Sequence, residues 1–394
     1  MSTRSGLSVG LGQKAVPRAA RLAVAAVFFV CGAGFANWVT RIPVIQQQLG
    51  LSNGALGVAL LGTAVGALLT MPATGWLVAR VGSRPVTKLV ALAYCMALPL
   101  PALAPNLPLL ISALVVFGAV YGTLDVAMNA QAIAVERRYG QPIMSSFHGL
   151  YSVGGIVGAV GGGMVTSLGV TPVPHLLGAA LVLGMVVVLA SRRLLPTGVD
   201  SVTTGPVLAL PTRSLFNLGI VAFCVMLSEG AMADWSAVYL RRTLNTGPGL
   251  AAAGYAVFSL AMAVCRLTGD RLTQRLGPVG MVRVGGTLAA TGLGLSLVIT
   301  QPVAALIGFA SVGVGLSSLV PIVFSAAGRT PGIAPGLALS AVTTTGYCGF
   351  LCGPPLIGFV ADFLTLRVAL GIVVFMSAMS AVLARTVARS GKTL

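Results

Sequence analysis

The sequence predicts an all-α polytopic membrane protein with twelve transmembrane helices, arranged as two pseudo-symmetric six-helix bundles. Three observations predict it. Of the 394 residues, 56% are hydrophobic and only 8% charged, against about 25% charged in an average soluble domain. So few charges cannot cover a water-facing surface, and lipid is the solvent that fits. The basic residues gather in short clusters between apolar runs, and short motifs recur at an offset of 195 to 197 residues.

Each pass needs roughly 20 apolar residues. The first, 22–40, follows Arg18 and Arg21 and runs into Trp38 and Arg41. It is longer than the apolar core of a signal peptide and lacks a small-residue cleavage site, so it reads as a retained helix. The second, 53–78, ends at the cluster Arg80, Arg84 and Lys88. The third, 88–104, and the fourth, 109–135, are divided by Pro105–Pro108, and Arg137 and Arg138 close the fourth. The fifth, 142–168, carries Gly154, Gly155, Gly158, Gly161, Gly162 and Gly163, a composition that lets helix backbones approach one another. The sixth, 174–191, starts after Pro172 and stops at Arg192. The polar stretch 192–213 is a linker, giving units at 1–191 and 214–394. The second unit repeats the pattern with passes at 215–240, 251–269, 282–300, 303–327, 336–360 and 367–385.

The loop charges fix parity and orientation. With the N-terminus inside, 19 lysines and arginines fall on the inner side and 4 on the outer (Arg41, Arg241, Arg242, Arg367), with Arg266 inside a helix. An excess of that size places both termini in the cytoplasm. The net charge of +17 is therefore a topology signal and not a nucleic-acid-binding stripe. The six cysteines all lie in apolar runs without metal-ligand spacing and read as small packing residues. Neither a catalytic triad nor a zinc or haem signature nor a phosphate-binding Gly-x-x-x-x-Gly-Lys-Ser/Thr loop is present, so enzyme chemistry, a metal, a cofactor and ATP drive are not expected.

The halves match in detail. Ala36-Asn37-Trp38 aligns with Ala233-Asp234-Trp235, Gly57 with Gly254, Arg80-Val81-Gly82 with Arg275-Leu276-Gly277, and Gly158 and Gly163 with Gly353 and Gly358. Four matches in chain order at nearly constant offset indicate a duplicated unit, the construction used for alternating access.

The stretch Gly75-Trp76-Leu77-Val78-Ala79-Arg80-Val81-Gly82-Ser83-Arg84 resembles the loop signature Gly-x-x-x-Asp-Arg-x-Gly-x-Arg of the major facilitator superfamily, with Ala79 at the acidic position. Asn37-Trp38-Val39-Thr40-Arg41-Ile42-Pro43, Leu124-Asp125-Val126-Ala127-Met128-Asn129, Phe147-His148-Gly149, Glu229 to Ser236 and Gly353 to Gly358 further resemble its bacterial YbjJ-type inner-membrane subgroup. The resemblance covers essentially the whole chain. It implies a secondary transporter of the bacterial inner membrane, and a loop gate built on Gly75, Arg80, Gly82, Arg84, Arg266, Asp270, Arg275 and Gly277. Ala79 puts the usual acidic lock of the first half in doubt.

Four residues are proton-coupling candidates: Asp125, Glu229, Asp234 and His148. An ionised carboxylate in hydrocarbon is expensive, so an acid kept there faces a polar path or a structural partner. Asp125 has no lysine or arginine within a turn, and His148 lies at similar depth in the next pass. Glu229 and Asp234 are five residues apart, about 140° around a helix, so they do not share a face. Candidates for a solute cavity are Asn37, Trp38, Arg41, Asn129, Gln131, Trp235, Thr343, Thr344 and Tyr347. Arg41 also reads as a snorkelling end residue, the two tryptophans as interfacial anchors, and His175 as surface. Asp270, one turn from Arg266, reads as its partner and as a cap on amides around Ser145 and Ser146.

The expected activity is proton-coupled transport of a small, partly polar solute by a monomer in lipid. Multidrug or metabolite efflux antiport is the alternative, although the Gly-Pro-x-x-Gly-Gly string of drug antiporters is absent from the fifth pass. A membrane structural or sensory protein is the alternative of another class.

Overall fold

The computed structural model describes residues 17–51, 53–196, 213–246 and 248–389, and among these the regular structure is entirely helical. Most of the expected linker, 197–212, lies outside the described residues. Twelve principal helices follow in order: α1 (Arg18–Val39), α2 (Asn53–Val81), α3 (Ser83–Ala97), α4 (Leu107–Tyr139), α5 (Met144–Ser167), α6 (Pro172–Ser191), α7 (Arg213–Val238), α8 (Pro248–Ile299), α9 (Pro302–Leu316), α10 (Leu319–Gly328), α11 (Pro335–Phe363) and α12 (Gly371–Val382). Short helical turns, such as Ile42–Gln48 and Leu100–Leu103, join some of them.

Local chemistry explains the boundaries. The Asn106 side chain accepts from the Leu109 amide at 3.0 Å and starts α4, with Pro108 in its first turn, where a missing N–H costs nothing. Gly140, at φ 70°, ends it, a left-handed C-terminal position that suits glycine. The repeat seen in the sequence has a backbone counterpart. Gly82 (φ 86°, ψ 157°) stands between α2 and α3, and Gly277 (φ 69°, ψ 162°) breaks α8, both in a region that is essentially glycine-only.

Ten helices among the described residues are long and apolar enough to cross a membrane, against the twelve expected. The difference has two sources. The passes expected at 251–269 and 282–300 are joined as one helix of 52 residues, because the polar stretch around Arg271–Arg275 stays helical up to the break at Gly277. At 1.5 Å per residue a straight helix of that length would far exceed a hydrocarbon core of ~30 Å. The second source is α11, 29 residues rich in threonine and glycine, which is not among the ten.

The helices of each half pack mainly on one another: α1 on α5, α2 on α4, α7 on α11 and α8 on α9. Small residues make this possible. A Cβ at Gly154 or Gly158 would strike the carbonyl oxygens of Phe29 or Ala33, and one at Gly349 would strike that of Phe223. Across the halves, α2 lies on α11 and α5 on α8. Gly75 of the loop signature is part of the first contact, since a Cβ there would meet Ser340 and the Gly336 carbonyl.

Candidate functional site

The helix ends that carry the basic clusters are tied together, and this basic end is closed between the halves. Glu136, in the last turn of α4, is 5% exposed. Its Oε2 accepts from the amides of Ile143 and Met144, each at 3.0 Å, at the start of α5. Its Oε1 accepts from Arg329 Nη1 at 2.9 Å and from the Ser325 hydroxyl, both in the second half. Asp270 of α8 reaches back the other way: its Oδ2 accepts from the Ser146 amide at 3.0 Å and from the Ser146 hydroxyl. Arg137 adds a hydrogen bond to the Gly328 carbonyl. One helix start thus receives two carboxylates, where free amides and the helix dipole favour negative charge. Glu136, Ser145, Asp270, Thr273, Ser325 and Arg329 line a small pocket at this junction.

Beyond this closure, polar side chains meet between the halves. Arg266 of α8 and Glu229 of α7 form an ion pair, with Nη2 3.3 and 3.4 Å from the two carboxylate oxygens. The same guanidinium donates through Nη1 to Ser152 Oγ of α5 at 3.3 Å and through Nε to the Ser317 carbonyl at 3.2 Å. In the first half, Asn129 Nδ2 donates to Asp125 Oδ1 at 3.1 Å, and Asn129 Oδ1 is 3.3 Å from His148 Nε2. The His148 ring is edge-on to Phe28 and, across the halves, to Phe324. Tyr121 and Tyr151 join their hydroxyls at 3.0 Å, and Tyr94 donates to the Cys31 carbonyl at 2.9 Å. Tyr347 packs on Ala67, Met71 and Val126 of the opposite half.

The structure redistributes several expected roles. Arg266 pairs with Glu229 rather than with Asp270, because Asp270 is committed to the start of α5. Asp125 and His148 are linked through Asn129 rather than directly. Gln131 spends its amide on Ser83 Oγ, the Leu195 carbonyl and the Leu195 amide, so it ties α4 to the chain after α6 instead of facing a cavity. Asp234 lies on an exposed face of α7, apart from Glu229. Arg41 is 1% exposed and does not snorkel. Its Nε donates to His175 Nδ1 at 2.6 Å, and His175 Nε2 is 2.8 Å from Asn37 Oδ1, so His175 is a buried link and not a surface residue. Trp38 is likewise buried, beside Phe117, and is not an interfacial anchor.

Other expected residues keep free polar atoms. The Thr343 and Thr344 hydroxyls and the Trp235 indole N–H are buried without a partner among the described residues. In the gate signature, Gly82 and Gly277 make the left-handed breaks, whereas Arg80 lies over the Trp76 ring and Arg275 is exposed. Arg84 donates to the Arg192 carbonyl at 3.4 Å. Two features escaped the sequence reading: Glu136, inside a Glu-Arg-Arg helix end, and the tyrosines at 94, 121 and 151, spread over three helices. Among the described residues, no group of three histidines, cysteines or acids is placed to hold a metal.

Comparison with known proteins fits this geometry. The family profile for the Major Facilitator Superfamily matches residues 23–334 and, in a second match, 218–393. An uncharacterised MFS-type transporter of Yersinia pestis is 41% identical over 362 residues, covering 92% of this chain and 94% of the relative. Among solved structures, FucP in the outward conformation superposes with a TM-score of 0.77 at 17% identity, over 94% of this chain and 98% of that one. The E. coli fucose:proton symporter FucP gives 0.75 at 16% identity with the same coverage.

Proposed function

The chain belongs to the Major Facilitator Superfamily, and from that premise we propose that it is a secondary active transporter, moving a small, partly polar solute by alternating access and coupled to protons. The observation that carries this reading is the placement of Asp125 and Glu229. Both acids lie near the boundary of the halves: Arg266, paired with Glu229, also reaches Ser152 of the first half, and Asp125, bonded to Asn129, interacts electrostatically with Tyr347 of the second. Acids in that position suit gain and loss of a proton during a transport cycle. The Thr343, Thr344 and Trp235 donors, which have no partner among the described residues, supply polar contacts for a solute. The shared fold with a fucose:proton symporter supports proton coupling as well.

On this reading the chain makes twelve passes, with α8 crossing twice around Gly277 and α11 crossing once. Residues 1–191 and 214–394 form the two bundles, and 192–213 form a cytoplasmic linker. The basic end is cytoplasmic, both termini lie there, and the closed basic end corresponds to an outward-facing state of a monomer in a bacterial inner membrane. The YbjJ-type motifs support a proposed membership of that subgroup.

The test is reconstitution in proteoliposomes with an imposed pH gradient and no ATP. Solute accumulation that follows the gradient and collapses with a protonophore is expected. Flux that ignores the proton gradient and follows sodium would overturn the coupling. A protein that carries no solute under any gradient would favour a structural or sensory role.

A further inference from the structure

We propose that Arg266 is the anchor for a carboxylate on the transported solute, and that Glu229 occupies that anchor until the solute arrives. This rests on the transport reading above and adds the solute's chemical class.

The geometry of the pair points to it. Charge-assisted N–H to carboxylate bonds are typically about 2.7–2.9 Å, and strong arginine–carboxylate pairs use two parallel bonds. At the basic end, Arg329 meets Glu136 at 2.9 Å. Arg266 meets Glu229 through one nitrogen only, at 3.3 and 3.4 Å. Its remaining contacts, to Ser152 and the Ser317 carbonyl, are 3.3 and 3.2 Å. The guanidinium is therefore held by four long bonds, and its two-pronged edge is not matched by a carboxylate. Its side chain is 11% exposed and that of Glu229 is 14%, so both are shielded without being sealed.

Charge bookkeeping gives the coupling. If a solute carboxylate takes the guanidinium, Glu229 is left as an unpaired anion in a poorly hydrated site, which is strongly unfavourable. A proton from the outer water, bound by a Glu229 oxygen, removes that charge. One carboxylate and one proton then enter together, and the net charge between the halves stays constant. Release to the other side reverses both steps, and Glu229 re-forms the pair. The titratable groups around the pair are His148 and Tyr151 of α5, within electrostatic reach of Arg266, Asp270 one turn along α8, and Asp125 and Tyr347 beyond them. The other lysines and arginines of the described residues stand at or near helix ends and breaks. Ser152 belongs to the first half, so exchange at Arg266 is felt across the boundary that must open.

The test uses the full-length protein and three probe pairs: lactate against propane-1,2-diol, gluconate against sorbitol, and benzoate against benzyl alcohol. Thermal stabilisation and binding are measured between pH 6 and pH 8, then uptake in proteoliposomes. At least one carboxylate should bind where its neutral counterpart does not, with affinity rising roughly tenfold per unit fall in pH, as one-proton linkage requires. Arg266→Gln should lose binding at least about tenfold, and Arg266→Lys should retain part of it because charge survives without the fork. Glu229→Gln should keep carboxylate binding but lose its pH dependence and proton-driven accumulation, while exchange continues. Size-exclusion profiles of the variants separate misfolding from loss of the anchor. Unchanged carboxylate binding in folded Arg266→Gln, or silence from all three carboxylates, would overturn the proposal. Proton-driven uptake of a neutral probe with inert carboxylates would overturn it too, yet leave transport standing. No flux of any probe would count against the transport reading itself.

Discussion

Asp125 and Asp270 are both acids in helices, and their partners set them apart. Asp270 holds the amide and hydroxyl of Ser146, a contact that joins α8 to α5. Asp125 is hydrogen-bonded to Asn129 on its own helix. Asp270→Asn should therefore loosen the closed end and lower proton-driven accumulation and solute exchange together, by roughly tenfold if one charge-assisted hydrogen bond of ~1.5 kcal/mol is lost. If the proton passes through Asp125 on its way to Glu229, Asp125→Asn should abolish proton-driven accumulation and leave exchange near the wild-type rate. Both rates can be measured in the same vesicles, and full accumulation by the Asp125 variant would remove it from the coupling path. These two acids and Glu229 were legible because an acid in an apolar run has few cheap placements. Glu136 was not, since Glu136-Arg137-Arg138 reads as an ordinary charged helix end. Nor was the Arg41–His175 bond, whose partners are 134 residues apart.

At the scale of elements, the helices on either side of each loop were legible from hydropathy, and their joints were less so. Hydropathy falls around residues 270–281 and suggests a loop, yet backbone hydrogen bonding does not depend on side-chain polarity and α8 continues to Gly277. Conversely, one run expected at 303–327 contains a break at Ser317 and Ser318, between α9 and α10. The glycine joints carry their own prediction. An alanine at Gly82 or Gly277 would be forced into backbone angles that cost about 1–3 kcal/mol. Gly82→Ala and Gly277→Ala should each lower the melting temperature of the purified protein. Gly161→Ala, where an added Cβ meets nothing within 4 Å, should leave it unchanged. Equal melting for all three would show that the two joints are not strained for other residues.

At the scale of the molecule, the halves meet tightly at the basic end, through the Glu136–Arg329 pair, the Asp270–Ser146 contact and the α2–α11 approach at Gly75. In the proposed cycle, weakening this junction moves the population toward the opposite state. Ser325 is 5% exposed beside Glu136, so a single cysteine there, in a cysteine-free background, reports opening. Glu136→Gln should raise its labelling from the basic side about tenfold for each ~1.4 kcal/mol of closure lost. Labelling that stays at the starting level would mean that the pair does not hold the halves together.

Glu136 and Asp270 come from opposite halves but end on one turn of α5, at Ile143, Met144 and Ser146. Glu136 and α5 belong to the same half, so when the halves part Glu136 keeps its hold on this turn, and the contacts that must break are Asp270 with Ser146 and Arg329 with Glu136. Both of these cross-half contacts end at one turn of α5 or at the carboxylate bound to it, so they part in one movement, which leaves little room for a half-open passage. In the cycle proposed above, the consequence is electrical. Ions have no crevice through which to leak between turnovers, so the membrane voltage is kept, and the proton gradient is spent only when cargo moves.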